Sequence, residues 1–174
     1  EKVGDEPFAV FLPDDIIRSE DPTIGAMIRI HEERDANVIA VKQVPDSAIP
    51  SLGIIDPVAG AGDVRRVKGM VEKPALADAP SDLAIIGRYV LTPQVFDAVA
   101  RAGEGALGEI QLTDAIAALI DDPGVYAYRF PGDHFDVGTP VGMLKATIHE
   151  ALGRHEMRDE LVRWMDTELK TRVT

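Results

Sequence analysis

Three short polar clusters carry the side chains most able to do chemistry: Asp14-Asp15, Glu72-Lys73, and Asp136 with Gly138. Each follows an apolar run. The first closes Phe8-Ala9-Val10-Phe11-Leu12-Pro13, so a greasy stretch ends abruptly in two carboxylates. A continuous apolar run predicts a strand covered on both faces, as in a parallel sheet. Ligands of open α/β sheets sit beyond the carboxyl ends of the strands, which places Asp14 and Asp15 at the mouth of a site. Hard cations such as Mg²⁺ take carboxylate oxygens and share substrate phosphates. The alternative for Asp14 or Asp15 is a turn cap. Asp14 and Asp136 lie 122 residues apart and can meet at one metal ion. A lysine between them, Lys73, would hold a phosphate as a point charge, and Glu72 beside it would take sugar hydroxyls. This is equipment for phosphoryl or nucleotidyl transfer, where catalysis is mostly alignment and charge neutralisation. Alone, Glu72-Lys73 also reads as a solvated strand end. His134 stands two residues before Asp136, where it lines the same pocket or merely borders it.

The elements that must position these residues alternate between two periodicities. After Asp15, residues 16–21 read as a loop. Asp21-Pro22 signals a helix start, Asp as N-cap and Pro at the first helical position, with Ile24, Met27, Ile28 and His31 at helical spacing to about Asp35. Asn37–Val44 and Arg65–Lys73 predict strands, as does Leu83–Leu91 with Gly87 in its middle. Ser51–Asp56 is a short apolar run with Gly53 inside it, a position that marks either close approach of a ligand or a simple bulge. Thr92-Pro93 caps a helix from Gln94 with Val95, Phe96 and Val99 inward, and Glu109–Asp114 opens another. Pro123-Gly124 breaks that helix ahead of a strand at Val125–Phe130. Thr139 caps, and Pro140 begins, a helix to about Leu152. A final helix, Glu156–Lys170, puts Met157, Leu161, Trp164 and Met165 on one stripe, for packing against the body or a second subunit. Strands alternating with Pro-capped helices mean an α/β fold with a largely parallel or mixed sheet.

Bulk properties narrow the partners. The chain has 174 residues, net charge −12 and no cysteine. The acidic balance argues against nucleic acid, which needs clustered Lys and Arg, but leaves a nucleotide possible through a local basic group or a metal. Disulfides and thiolate metal sites are excluded. No apolar run nears the ~20 residues of a membrane span, so the expectation is no membrane and a cytoplasmic setting. No Gly-x-Ser-x-Gly elbow, His-Glu-x-x-His or Gly-x-x-x-x-Gly-Lys-Ser/Thr loop is present.

Five co-linear blocks then carry a resemblance. They are residues 3–15 (VGDEPFAVFLPDD), 70–74 (MVEKP), 79–91 (APSDLAIIGRYVL), 108–116 (GEIQLTDAI) and 135–138 (FDVG), with Leu144-Lys145-Ala146-Thr147 fitting as well. With them the chain resembles the bacterial UTP–glucose-1-phosphate uridylyltransferases. That resemblance implies a Rossmann-like, GT-A-like mixed sheet flanked by helices, present as a partial domain. Residues 1–153 would be the sugar- and metal-binding part, and 154–174 a helix for packing or oligomer contact. Asp14 and Asp136 would bind Mg²⁺. Glu72 would take glucose hydroxyls and Lys73 the phosphate of glucose 1-phosphate. Asp14, Lys73 and Asp136 are thereby the implied catalytic set. Gly53 and Gly87 would bring backbone close to the sugar, and Glu109 and Thr113 would belong to the loop closing its pocket.

The implied ligands are UTP, glucose 1-phosphate and UDP-glucose, and the implied assembly is a homodimer or homotetramer. Leu52 replaces an aromatic usual in the family, and Asp82 an asparagine. The family's Gly-rich nucleotide loop, expected upstream of residue 1, is missing, so the chain reads as a C-terminal portion, inactive alone. Alternatives are a non-catalytic sugar-nucleotide-binding relative or regulatory subunit, or a pyrophosphorylase for another sugar 1-phosphate or nucleotide.

Overall fold

A computed structural model describes residues 3–102 and 111–172. In chain order these form β1 (Phe8–Phe11), β2 (Asp15–Arg18), α1 (Thr23–Arg34), β3 (Asn37–Gln43), β4 (Gly53–Pro57), β5 (Val64–Glu72), β6 (Leu83–Leu91), α2 (Gln94–Arg101), α3 (Leu112–Ala117), β7 (Val125–Arg129), β8 (Asp133–Asp136), α4 (Pro140–Gly153) and α5 (His155–Arg172). They sort into two compact units, Glu1–Pro13 with Arg18–Asp133, and Asp14–Ile17 with His134–Thr174.

The first unit is built on a six-stranded sheet of order β1-β6-β3-β7-β5-β4, in which β4 also touches β6. Only β3 and β7 run parallel among its pairs. The sheet is therefore mixed. β3 is covered on both faces: Asn37 through Val41 are no more than 1% exposed, which a central strand under helices requires. The opening apolar run is different. β1 is an edge strand, antiparallel to β6, with Phe8 and Val10 turned to the core and Phe11 54% exposed. An edge strand with one wet face alternates, and the outward ring is covered by the Arg88 guanidinium, 4.7 Å from its centroid.

Helix α1 starts at Thr23, one residue later than expected, and buries Thr23, Met27 and Ile30, while Ile28 faces out. In α2 the buried positions are Val95 and Ala98. Phe96, expected inward, is half-exposed and stacks on Phe8 with ring centroids 5.1 Å apart. Helix α3 anchors through Ala115 and Ile116.

One buried polar residue ties the centre together. Asn37 is fully buried; its amide donates to the Gly124 carbonyl (3.2 Å), and its Oδ1 accepts from the Thr92 backbone (2.8 Å) and hydroxyl (3.2 Å). The side chain thus links β3 to the entry of α2 and the turn before β7.

The second unit contains strands the sequence pattern does not show. Among the described residues β2 and β8 pair only with each other, as a two-stranded sheet. Each has four residues, too few to display a period, and residues 15–18 lie in a stretch read as loop. Helix α4 begins as expected: the Thr139 side chain accepts from Gly142 N, with Pro140 in the first turn. Phe135 packs on His149, 5.0 Å between rings, docking β8 on α4. Helix α5 buries no residue; Met157 and Trp164, with Ala151 and Leu161, line an open cavity of about 300 Å³ beside α4. The sequence division at 153/154 falls where α4 gives way to α5. The compact units part elsewhere, because β2 pairs with β8 and residues 14–17 group with residues 134–174. Among the described residues no helix is long and apolar enough to cross a membrane.

Truncating Asn37 leaves the Gly124 carbonyl and the Thr92 N–H buried without partners. Asn37→Ala is expected to lower unfolding free energy by about 2–6 kcal/mol, at about 1–3 kcal/mol per orphaned group. Urea denaturation followed by circular dichroism checks this; a loss under ~1 kcal/mol would show that the network carries little.

Candidate active site

In the first unit, strand register brings four sequence-flagged residues together. Gly53 opens β4 and lies directly opposite Glu72, the last residue of β5. Directly opposed side chains in an antiparallel pair come close, so the missing side chain at 53 makes room. A Cβ there would lie 2.9 Å from Glu72 Oε2 and 3.2 Å from Thr113 Oγ1. Into that space the Thr113 hydroxyl donates to Glu72 Oε2 at 2.6 Å, a short hydrogen bond to a charged acceptor. Glu72 is mostly buried, its side chain 19% exposed, and its Oε1 lies 3.9 Å from Lys73 Nζ. That is a loose ion pair at a half-exposed ammonium.

Lys73 has a backbone φ of +47°. It is neither glycine nor asparagine, and it precedes Pro74, so the left-handed region is doubly disfavoured. The register Gly53↔Glu72 and the bond from Lys73 N to Leu52 O (3.0 Å) hold it there. Leu52 therefore serves through its backbone, while its side chain packs near Ile49 and Ile54. Backbone strain of this kind, maintained by its surroundings, gathers at ligand sites. Asp82, the other departure, takes a hydrogen bond from Gln43 Nε2 at 2.6 Å. Gly87 lies where the β3–β6 register slips between Ile39 and Ala40, and its carbonyl accepts from Leu12 N at 2.8 Å. Glu109 lies outside the described residues.

In the second unit the two distant acids do converge. Asp136 ends β8, and its Oδ1 accepts from Gly138 N at 2.9 Å. Asp14 immediately precedes β2, and its carbonyl accepts from Val137 N at 2.7 Å. A Cβ on Gly138 would stand 3.0 Å from Asp136 Oδ1 and 3.3 Å from Asp14 Oδ2. Both carboxylates thus face one small space that glycine leaves empty. Asp15 and His134 add a side-chain hydrogen bond between the same strands, a contact legible beforehand only as the spacing of His134 from Asp136. Among the described residues no group of three or more His, Asp or Glu is placed to hold a metal. A cation between Asp14 and Asp136 would therefore complete its shell from water and phosphate oxygens, as Mg²⁺ does. Two hard oxygen donors fit that ion.

The nucleotidyl transferase family matches residues 1–152 of this sequence. The chain belongs to that family. Within it, the chain is 49% identical to a UTP–glucose-1-phosphate uridylyltransferase of Staphylococcus haemolyticus, over 94% of this chain and 57% of the relative. It is 51% identical to a second such enzyme, from Staphylococcus saprophyticus, over 94% of this chain and 56% of the relative. The chain so spans a little over half the length of these curated relatives. Among solved structures it superposes on a UDP-glucose pyrophosphorylase complexed with UDP-glucose, with TM-score 0.83 and 34% identity over 88% of this chain and 59% of the other. A UTP-bound enzyme of that kind from Acinetobacter baumannii gives TM-score 0.81 and 35% identity, over 94% of this chain and 57% of the other. The mixed α/β sheet expected from the resemblance is the fold of this family member.

Glycine relieves the left-handed strain at position 73 while removing the ammonium. Lys73→Gly is expected to leave the fold intact and raise stability by up to ~1 kcal/mol. A thermal scan checks it; a drop in Tm would mean that the conformation at 73 is not strained.

Proposed function

We propose that this chain supplies the sugar-phosphate-binding and cation-binding residues of a uridylyltransferase that makes UDP-glucose and pyrophosphate from UTP and glucose 1-phosphate. The observation that carries the reading is the convergence of Asp14 and Asp136 on the space left by Gly138, in a chain about half identical to enzymes of that name.

A phosphate oxygen of glucose 1-phosphate attacks the α-phosphorus of UTP; the new P–O bond forms as the bond to pyrophosphate breaks, with no covalent enzyme intermediate. Both reactants are anions, so the residues must hold them aligned and offset charge. Lys73 does this for the sugar phosphate as a point charge. With Oε2 committed to Thr113, Glu72 has Oε1 for the hydroxyls of the sugar. Gly53 keeps that carboxylate and hydroxyl in place by having no side chain, and Gly87 would offer backbone to the sugar. Glu109 is proposed, with Thr113, to close the pocket. Asp14 and Asp136 would hold Mg²⁺, which when bound offsets the repulsion between nucleotide and sugar phosphate.

The test is pyrophosphate release by the intact protein, with each of four nucleoside triphosphates against several sugar 1-phosphates. UTP with glucose 1-phosphate is expected to be preferred; a better rate with another pair would reassign the substrate, and none with any pair would remove the enzyme reading. In the same assay Asp136→Ala is expected to abolish turnover even at saturating Mg²⁺. Lys73→Ala is expected to raise KM for glucose 1-phosphate at least tenfold, with a smaller change in kcat. Near-normal Asp136→Ala turnover, or an unchanged KM in Lys73→Ala, would refute that residue's role.

A further inference from the structure

We propose that His134 and Asp15 are a positioning pair whose hydrogen bond sets the separation of the Asp14 and Asp136 carboxylates and so tunes their affinity for a divalent cation. The inference rests on the reading of Asp14 and Asp136 as cation ligands and extends it to two side chains that the proposed reaction does not use.

The geometry is local to β2, β8 and the turns beside them. His134 Nε2 meets Asp15 Oδ1, and both side chains are largely buried, 17% and 16% exposed. A carboxylate only accepts, so Nε2 carries the proton and donates. In a strand, residues two apart share a face, so His134 and Asp136 stand side by side on β8. Asp15 is the neighbour of Asp14 and the first residue of β2. Each acid of the 14–15 dipeptide therefore answers one residue of β8: Asp15 reaches His134, and Asp14 faces the same space as Asp136. A second tie, from Val137 N to Asp14 O at 2.7 Å, lies on the other side of Asp136 in sequence. Asp136 is bracketed by two bonds, one between side chains of the two strands and one between the backbones just beyond them.

The pair is needed because the strands are short. Four residues each, with no other strand beside them among the described residues, give few ladder bonds to define a register. Like charges brought to one point push apart, so without a tie the sheet would relieve the repulsion by splaying. A partly buried hydrogen bond to a charged acceptor opposes that. Groups that orient metal ligands in this way typically change metal affinity by roughly 10- to 100-fold when removed.

The test is Mn²⁺ affinity of the intact protein, from the electron paramagnetic resonance signal of free Mn²⁺, with thermal unfolding measured alongside. His134→Gln places an amide near the Nε2 position; His134→Asn places it near Nδ1, out of reach of Asp15. We expect His134→Asn and Asp15→Ser to weaken Mn²⁺ binding by roughly 10- to 100-fold, and His134→Gln to restore it to within about threefold of the unaltered protein. Stability should change little between the Asn and Gln variants, which a purely structural role would not predict. Unaltered Mn²⁺ affinity in a folded His134→Asn variant, with Asp136→Asn abolishing binding, would overturn the positioning role alone. Unaltered affinity in Asp136→Asn would remove the cation site itself, and the pair with it.

Discussion

Two carboxylates facing one point is an arrangement a chain does not reach for its own stability. Here Asp14 and Asp136 both approach the empty side of Gly138. The Gly138 N–H offsets part of the repulsion through its bond to Asp136. The rest of the second unit works to keep the acids there: the β2–β8 pair, the backbone bond between residues 14 and 137, and α4, whose Thr139 cap also donates to the Asp136 carbonyl. A cation there would turn that repulsion into attraction, and this is the role proposed for the acid pair. Structure that is costly without a ligand is a physical pointer to the ligand's sign and size.

The first unit poses the complementary problem, holding a carboxylate and an ammonium where a hydroxyl-rich ligand carrying a phosphate could use both. Its solution begins far from the site. The buried centre of β3, fixed by Asn37 and flanked by β6 and β7, sets the sheet. The sheet sets the register of β4 on β5, and that register puts Gly53 across from Glu72. Thr113 arrives from α3, which Ala115 and Ile116 pin to the core. The left-handed backbone at Lys73 is the remaining cost, sustained by its bond to Leu52.

Much of the scaffold was legible because its signals are local. The β-branched run at β3, the long apolar β6, and Thr139-Pro140 ahead of α4 each carry their own pattern, and the structure follows them. The errors arose where tertiary context decides. The run at residues 8–11 is as apolar as a central strand, yet it lies at the sheet edge, and only its pairing with β6 on one side tells the two apart. Strands β2 and β8 are too short and too charged to declare themselves, because each is a strand only in the other's presence. Phe96 stacks on an edge residue instead of entering the core. At the candidate site, residue types point to the chemistry, and types together with family likeness put Asp14 beside Asp136. The bond from Thr113 to Glu72 and the tie from His134 to Asp15 had no local signature, since 41 and 119 residues separate the partners.

The claim on which the rest depends is that Asp14 and Asp136 share one ion. Crystals of the intact protein soaked in Mn²⁺, with data collected at the manganese absorption edge, test it directly. The account predicts one anomalous peak about 2 Å from a carboxylate oxygen of each residue. A peak bound to one acid alone, or one lying elsewhere with these carboxylates turned apart, would contradict it.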